Sequence, residues 1–378
     1  MEDRADVLLF VEDPGACNYL KDVPGRLADS GIRAALLATG AGVEYLNSRQ
    51  GKYTEIAPDA DVEALLENYG PDLVIVGTSE TRDSLAHKLV DRCRREGIVS
   101  VGAVDMEANA EHRFRGLTET PLAHAPDWLL VPDESCKKEY ERLGFPGERA
   151  VIAGHPHFDF VRSVATSFDT ALRRDILGSS PDERRIVTFI CEGYDQLNRS
   201  ATMRSPEYTL FGRGDSEFRT VIVLEELIDA IRETQPRPFL VMRLHPKMTD
   251  EVEAYEEEVD YVSRRENPLE LLAASDLVVG MTSMLLHEAA IMGKPTLSVL
   301  PRAMETIWLP TTASGFTRAI FDRDELRAFF ADLESSLAEI ERADRPAFVM
   351  NALDNITAFI EAKLASRRLS PGTCDSPR

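Results

Sequence analysis

Residues 275–301, SDLVVGMTSMLLHEAAIMGKPTLSVLP, predict a strand, a turn, a helix and a second strand in succession. The apolar run 277–279 stops at Gly280, two hydroxyl residues stand where a helix would begin, and Gly293 precedes the next apolar run. This order is typical of a β-α-β unit in a parallel sheet. The same turn also suits a phosphate group, because the start of a helix offers unpaired N–H groups and a partial positive charge.

Four consecutive residues of this turn are candidate diphosphate contacts, namely Gly280, Met281, Thr282 and Ser283. Gly280 would permit a close backbone approach or a positive φ, and the two hydroxyls would add hydrogen-bond donors. Glu288 follows about a turn and a half into the helix, where its carboxylate could accept hydrogen bonds from the vicinal hydroxyls of a ribose. The alternative for Glu288 is an ordinary glutamate on the helix surface.

The same alternation of apolar runs and amphipathic stretches extends over the whole chain. The runs include DVLLFV, RAALLAT, PDLVIVGTS, IVSVGAV and DWLLVP, and they start again after the polar loop LGSSPDERR with IVTFIC and PFLVMRL. We therefore predict an α/β protein with two Rossmann-like, doubly wound domains, covering residues 1–165 and 180–345. Residues 346–366 would form a helix that packs back on the first domain, and residues 367–378 a disordered tail.

Bulk properties narrow the functional class. The 378-residue chain is long enough for two domains, and its net charge of −22 argues against nucleic-acid or anionic-membrane partners, which attract basic surfaces. Five cysteines without a C-x-x-C pair favour reduced thiols in the cytoplasm. The chain has no apolar run long enough for a membrane span, and its first apolar run predicts a strand and not a signal peptide. The two histidines and the aspartate of GHPHFDF are weak candidates for a metal site, because no second cluster of ligands accompanies them.

Functional residues should follow strands, because ligands of open parallel sheets bind outside the carboxyl ends of the strands. With two such sheets facing each other, we expect the site in the cleft between the domains. Asp13, after the first strand, would be a general base or a helix N-cap, and Gly15 would present a backbone amide to an acceptor. Asp105 directly follows a buried strand and is a candidate catalytic or substrate-orienting residue. Residues 78–81 would cap the next helix, and residues 112–113 would be surface or substrate contacts.

The second domain offers a carboxylate and three cationic groups after its strands. Glu192 follows the first of these strands, and the motif RLHPK places Arg243, His245 and Lys247 at alternating positions. Alternation along a strand puts these three side chains on one face, where they would contact a diphosphate. The alternative is a set of salt bridges to the acidic run 251–260.

These motifs resemble those of the GT-B nucleotide-sugar glycosyltransferases, a superfamily that includes UDP-N-acetylglucosamine 2-epimerases and bacterial surface-polysaccharide transferases. The resemblance spans roughly residues 6–366 and implies an interdomain cleft with C-terminal crossover helices. It implies that residues 281–283 hold the donor phosphates and that Glu288 binds the ribose. RLHPK is similar to a His-Pro motif of capsule-type transferases, which implies that His245 contacts the donor diphosphate. DPGACN resembles the glycine loop that faces the acceptor.

The sequence departs from the epimerase pattern at three points. Met284 and Leu285 replace a Gly-Gly pair, CEGYDQ replaces a His-Arg motif, and GTSET lacks an expected Asp. These departures disfavour the epimerase activity, and the motifs do not single out any one activity.

The predicted function is therefore a metal-independent bacterial glycosyltransferase that uses a nucleotide-diphosphate-sugar donor and needs no separate cofactor. Asp13 or Asp105 would deprotonate the hydroxyl of a small-molecule acceptor, and His245 would help to stabilise the leaving diphosphate. A homodimer is a candidate assembly. The alternatives are a UDP-N-acetylglucosamine 2-epimerase-like isomerase and a non-catalytic nucleotide-sugar-binding protein.

Overall fold

The computed structural model describes residues 4–168, 170–177, 184–193, 203–245, 250–343 and 348–369. By packing, the chain divides into two units. Unit 1 comprises Met1–Asp159 and Phe348–Arg378, and unit 2 comprises Phe160–Ala347. Each unit contains one sheet whose strand pairs are all parallel, so the predicted α/β class with two Rossmann-like domains is confirmed.

The sheet of unit 1 has seven strands in the order β3-β2-β1-β4-β5-β6-β7. They are β1 (Val7–Val11), β2 (Ala34–Ala38), β3 (Thr54–Glu55), β4 (Leu73–Gly77), β5 (Val99–Ala103), β6 (Trp128–Val131) and β7 (Ala150–Ile152). The strand order reverses between β1 and β4, and such a switch point is where ligands of open sheets bind.

Helices cover both faces of this sheet. They are α1 (Pro14–Leu20), α2 (Val23–Asp29), α3 (Ala41–Ser48), α4 (Val62–Tyr69), α5 (Leu85–Glu96), α6 (Ala110–Arg113) and α7 (Glu134–Arg142), with a 3₁₀ turn at Gly147–Arg149. The next helix, α8 (Pro156–Ser167), begins in unit 1 and continues into unit 2. Strand β1 is buried throughout, and its side chains alternate between two apolar cores: Leu9 lies in one, and Leu8 and Phe10 lie in the other. A strand that is apolar on both faces requires helices on both sides, which is what the uninterrupted run DVLLFV indicates.

The sheet of unit 2 has six strands in the order β10-β9-β8-β11-β12-β13. They are β8 (Ile186–Ile190), β9 (Phe239–Arg243), β10 (Tyr261–Ser263), β11 (Leu277–Gly280), β12 (Thr296–Val299) and β13 (Arg318–Ile320). Its order also reverses, between β8 and β11, so residues after these two strands meet at a second switch point.

The helices that follow α8 are α9 (Ala171–Leu177), α10 (Arg219–Glu233), α11 (Pro268–Ala274), α12 (Met284–Ile291), α13 (Pro310–Ala313), α14 (Arg323–Ala331), α15 (Leu333–Arg342) and α16 (Ala352–Leu369). Two 3₁₀ segments, Asp250–Glu258 and Ala303–Trp308, complete this part of the chain. Helix α16 belongs to unit 1, where Ile356, Ile360 and Leu364 enter the core that contains β1.

Two separate helices, α1 and α2, follow β1. Asp13 caps α1 at its start, and Pro24 in the first turn of α2 lacks the N–H that one continuous helix would need there. At the other end of the chain, α16 runs to Leu369, and positions 370–378 of the expected tail lie outside the described residues.

Across the described residues, no helix combines the length and the apolar content that crossing a membrane requires.

Candidate functional site

A buried ion pair lies at the carboxyl ends of β4 and β5 in unit 1. Arg113 Nη1 donates to Asp105 Oδ1 at 2.8 Å and to Thr78 Oγ1 at 3.0 Å, and the Thr78 hydroxyl lies 3.5 Å from the same Asp105 oxygen. All three residues are buried. The sequence placed Arg113 on the surface or against substrate, whereas the structure pairs it with Asp105, eight residues earlier in the chain.

Helix α1 starts directly against Asp105. A methyl group at Gly15 would lie 2.0 Å from Asp105 Oδ2, so any larger residue here would force Asp105 or α1 to shift. Asp13 is engaged as the N-cap of α1, since its Oδ1 accepts from the Gly15 amide at 2.9 Å. Burial raises the pKa of Asp105, the Asp13 charge adds to this, and the Arg113 guanidinium opposes it. The carboxylate of Asp105 is therefore a stronger base than an exposed aspartate.

The hydroxyls of Thr78 and Ser79 donate to carboxylates and do not cap a helix. Ser84 caps α5, because its side chain accepts from the Ala86 amide at 3.0 Å. Ser79 donates a short hydrogen bond to Glu12 Oε1. The capping expected for residues 78–81 is therefore wrong: these residues precede α5 by several positions, and Thr78 and Ser79 contact the carboxylates that follow β5 and β1.

In unit 2, the turn after β11 already holds an anion. Glu192, which follows β8, accepts from the Met281 amide at 3.2 Å, the Thr282 amide at 2.5 Å and the Thr282 hydroxyl at 3.0 Å. Two of the backbone N–H groups expected to hold a phosphate are thus bound to a carboxylate of the same unit. Glu192 was expected to contact the ligand, but its carboxylate instead occupies part of the expected phosphate site.

A charge-balanced network supports Glu192. Arg219, the first residue of α10, donates to Glu192 Oε2 at 2.7 Å and to Glu305 Oε2 at 2.7 Å. Arg302 Nε donates to Glu305 Oε1 at 2.5 Å. Glu305 is 0% exposed and Arg219 4%, so neither charge is solvated by bulk water. Burial alone would lower the pKa of Arg219, but Glu192 and Glu305 raise it, so the guanidinium stays charged.

An indole ring covers the network on one side. The Trp308 ring centroid lies 5.7 Å from the Arg219 guanidinium carbon and 5.4 Å from that of Arg302. Trp308 itself is 38% exposed, and its neighbours Met304 and Ile307 are also exposed. These residues were not among the candidates expected from the sequence, because PRAMETIW has no spacing that indicates contacts to residues far away in the chain.

The three cationic residues of RLHPK have different surroundings. Arg243 Nη1 donates to Ser263 Oγ at 2.9 Å and to the Glu266 carbonyl at 3.0 Å. Its guanidinium therefore already has hydrogen-bond partners at the end of β10 and just after it. The half-buried His245 packs on Gly193, where an added methyl group would lie 2.4 Å from Nδ1. Lys247 lies outside the described residues.

Hydrogen bonds also set the ionisation of Glu266 beside Arg243. Partial burial would raise the pKa of Glu266, but hydrogen bonds from Tyr261, Ser263 and backbone amides lower it to about 2. Arg243 therefore has an ionised neighbour 3.8 Å away. This agrees with a salt bridge, the alternative that the sequence left open, although the acidic partner lies beyond the 251–260 run.

The remaining residues of the turn behave partly as expected. Ser283 is the N-cap of α12, since its hydroxyl accepts from the Leu285 amide at 3.2 Å. Gly280 is an ordinary strand residue: it has no positive φ, and a methyl group there would meet its nearest neighbour at 3.5 Å. The special backbone geometry expected of Gly280 is therefore wrong. Glu288 is half-buried on α12.

Within the described ranges, no group of three or more His, Cys, Asp or Glu side chains is arranged to hold a metal ion.

Comparison with known proteins gives no match to a family model or to a curated protein. Solved structures do match over nearly the whole chain. The UDP-GlcNAc 2-epimerase from Methanocaldococcus jannaschii has a TM-score of 0.63 at 12% identity, covering 94% of this chain and 99% of its own. A putative UDP-N-acetylglucosamine 2-epimerase from Listeria monocytogenes has a TM-score of 0.67 at 13% identity, covering 96% and 97%.

A variant of the wall teichoic acid polymerase TagF also matches, with a TM-score of 0.54 at 12% identity, covering 96% of this chain and 90% of its own. At such identities the likeness concerns the fold. The resemblance inferred from the sequence motifs is thus confirmed at that level: the chain has the GT-B fold of two Rossmann-like domains.

Proposed function

We propose that the protein is an enzyme of the nucleotide-sugar type, a metal-independent glycosyltransferase that uses a nucleotide-diphosphate-sugar donor. The observation that carries the proposal is the turn after β11, whose amides at Met281 and Thr282 bind the carboxylate of Glu192. A turn that holds one anion at a switch point has the polarity to hold a phosphate on its remaining donors. The GT-B fold, shared with epimerases and a polymerase, supports the same class.

The donor diphosphate would bind at the start of α12 beside Glu192. Within the described part of the chain, no acceptor is paired with the backbone N–H of Ser283 or Met284, and these groups carry the positive end of the helix dipole. His245, packed on Gly193 next to Glu192, would add a donor for the leaving diphosphate. Glu288 would accept hydrogen bonds from the ribose hydroxyls.

Arg219 has a positioning role in this scheme. Its guanidinium neutralises Glu192, so the donor would approach a carboxylate whose charge is already compensated. The network fixes the turn through the Thr282 hydroxyl and amide. Arg243 is left out of the diphosphate site because it is engaged with Ser263, and Lys247 stays a prediction.

Asp105 is the proposed general base for the acceptor hydroxyl. Its raised pKa brings it closer to the pH at which a base transfers protons efficiently, while Arg113 and Thr78 hold its orientation. Asp13 is less suited to this role, because its carboxylate already accepts from the Gly15 amide as a helix cap. The donor is a substrate, and no separate cofactor enters the scheme.

The test is calorimetric titration of the purified protein with UDP, CDP, GDP and their sugar conjugates, in the presence of EDTA. Binding of one nucleotide series, with at least about tenfold loss in Ser283→Pro, is expected, because proline removes the N–H donor at position 283. A matched Ser84→Pro variant, which also replaces a serine N-cap but at the start of α5 in unit 1, should bind like the wild type. The absence of binding to any nucleotide would refute the proposal.

A second candidate is isomerisation of the donor itself, favoured by the epimerases among the structures that share the fold. Incubation with UDP-N-acetylglucosamine in deuterated water separates the two reactions. Deuterium at C2 of the sugar supports the isomerase, whereas transfer without exchange supports the transferase. Tight binding with neither reaction, over a panel of acceptors, would identify a non-catalytic nucleotide-sugar-binding protein.

A further inference from the structure

A cavity of about 890 Å³ lies in unit 1, away from the carboxyl ends of the strands. Its lining includes Arg4 and Arg33, which precede β1 and β2, and Lys21, which lies between α1 and α2. Arg49 and Lys52, between α3 and β3, complete its basic residues. None of the candidate catalytic or donor-binding residues lines this cavity, so it is a separate feature of the fold.

The cavity concentrates positive charge in an acidic protein. Five basic side chains line it beside one carboxylate, Asp22, although the whole chain carries a net charge of −22. Lys21 pairs with Asp22, and Arg33 pairs with Asp6 at 3.0 Å. Charges of one sign gathered around a concave surface create a local potential that attracts a counter-ion.

Three of the basic residues are not neutralised by a carboxylate of the described chain, so their positive charges can interact with a ligand. Across the described residues, Arg4, Arg49 and Lys52 form no ion pair with any carboxylate, and all three are exposed. Arg49 also lies 5.6 Å from the ring centroid of Tyr45, which limits the positions of its guanidinium.

The shape and chemistry of the cavity indicate the ligand. Its volume falls within the range of about 300–1,000 Å³ typical of small-molecule sites. Arginine forks and lysine ammonium groups match phosphate oxygens, and several of them together favour a ligand with more than one phosphate. Tyr53 and Tyr69 add aromatic surface to the lining. We propose that this cavity binds a small ligand that carries two or more phosphate groups.

Titration calorimetry of the full chain with inorganic tripolyphosphate tests the proposal. The variant R49E/K52E reverses two charges of the cavity and should weaken binding at least about tenfold, since each reversal replaces an attraction by a repulsion. The control R95E/R149E changes the net charge equally at two exposed sites of unit 1 outside the cavity. It should change binding less than about twofold, because distant exposed charges are screened.

Equal weakening in both double variants would overturn the proposal, because binding would then follow net charge alone. Absence of wild-type binding at about 1 mM tripolyphosphate, the weak end of specific affinities, would also overturn it. Circular dichroism and thermal melting of each variant check that the fold is retained.

Two further measurements test whether the cavity is distinct from the donor site and whether the phosphates come from a free ligand or a lipid. UDP should bind R49E/K52E with the wild-type affinity, because none of the proposed donor-site residues lines the cavity. A parallel loss of UDP and tripolyphosphate binding in R49E/K52E would place both in one site and overturn the proposal. If UDP does not bind at all, the donor-site proposal fails while the comparison of R49E/K52E with R95E/R149E still decides on the cavity. Flotation with phosphatidic-acid vesicles should leave the protein unbound, and vesicle binding without tripolyphosphate binding would overturn the proposal in favour of a lipid surface.

Discussion

Replacement of Arg219 by methionine should destabilise unit 2 strongly, because it removes the cation shared by the buried Glu305 and the half-buried Glu192. Arg219 donates to Glu192 at 2.7 Å and to Glu305 at 2.7 Å, and Glu305 is completely buried. Removal of one partner of a buried ion pair costs about 3–5 kcal/mol. Glu305 keeps Arg302 and Glu192 keeps the amides after β11, so we expect the lower end, about 3 kcal/mol.

Differential scanning calorimetry measures this loss directly. A cost of about 3 kcal/mol corresponds to a decrease in Tm of roughly 6–12 °C for a cooperative unit of this size. The control is Arg237→Met, which removes a 3.0 Å ion pair with Asp260 where the arginine side chain is 40% exposed. Such exposed pairs contribute about 0–1 kcal/mol, so the control should melt close to the wild type.

A second substitution tests the cause of the loss. Adding Glu192→Gln to Arg219→Met removes the carboxylate left without its cation and should recover part of the Tm. Equal decreases in Tm for Arg219→Met and Arg237→Met, or a double variant less stable than Arg219→Met alone, would refute the reasoning.

Three other changes test separate parts of the structure. Gly15→Ala should cost about 1–3 kcal/mol in chemical denaturation, since its methyl group would meet Asp105 at 2.0 Å, and an unchanged midpoint would contradict this close approach. Ser283→Ala should cost about 1 kcal/mol in the same assay through loss of the α12 cap, and an unchanged midpoint would contradict the capping. The Glu266 carboxyl has its pKa lowered from 4.5 to about 2, so it stabilises the fold above about pH 4.5 and loses this contribution as pH falls through about 2. Glu266→Gln should therefore be less stable than the wild type at neutral pH, with the difference narrowing across that acidic range in urea titrations; a constant difference would contradict it.

The fold was predictable because its signals are local. Apolar runs such as 7–11 and 277–279 are buried on both sides, and the hydroxyl of Ser283 starts a helix where the sequence places it. Each of these signals is contained within a few neighbouring residues, which is the range over which propensity and capping act.

The candidate site was less predictable because its contacts connect distant parts of the chain. Glu192 reaches amides 89 and 90 residues later, and no spacing rule indicates that a carboxylate would occupy the turn. The alternation rule applied to Arg243, His245 and Lys247 assumed a strand through all three, but β9 ends at Arg243. Arg113 was misassigned because its partner is fixed by the packing of α6, not by the motif around it.

Because the chain returns to unit 1 at its end, unit 1 cannot complete its fold until the whole chain has been synthesised. Asp159 accepts hydrogen bonds from the amides of Asn351 and Ala352, so the exit from unit 1 and the re-entry into it are fastened together. Between them lie roughly 190 residues, which take on the order of 10–40 s to translate. Throughout that interval the nascent first sheet lacks Ile356 and Ile360, which fill one of its cores. A chaperone that shields apolar surface would therefore bind unit 1 while its last helix is missing. A nonsense mutation after Ala347 would give a chain in which unit 2 is complete but unit 1 lacks that helix.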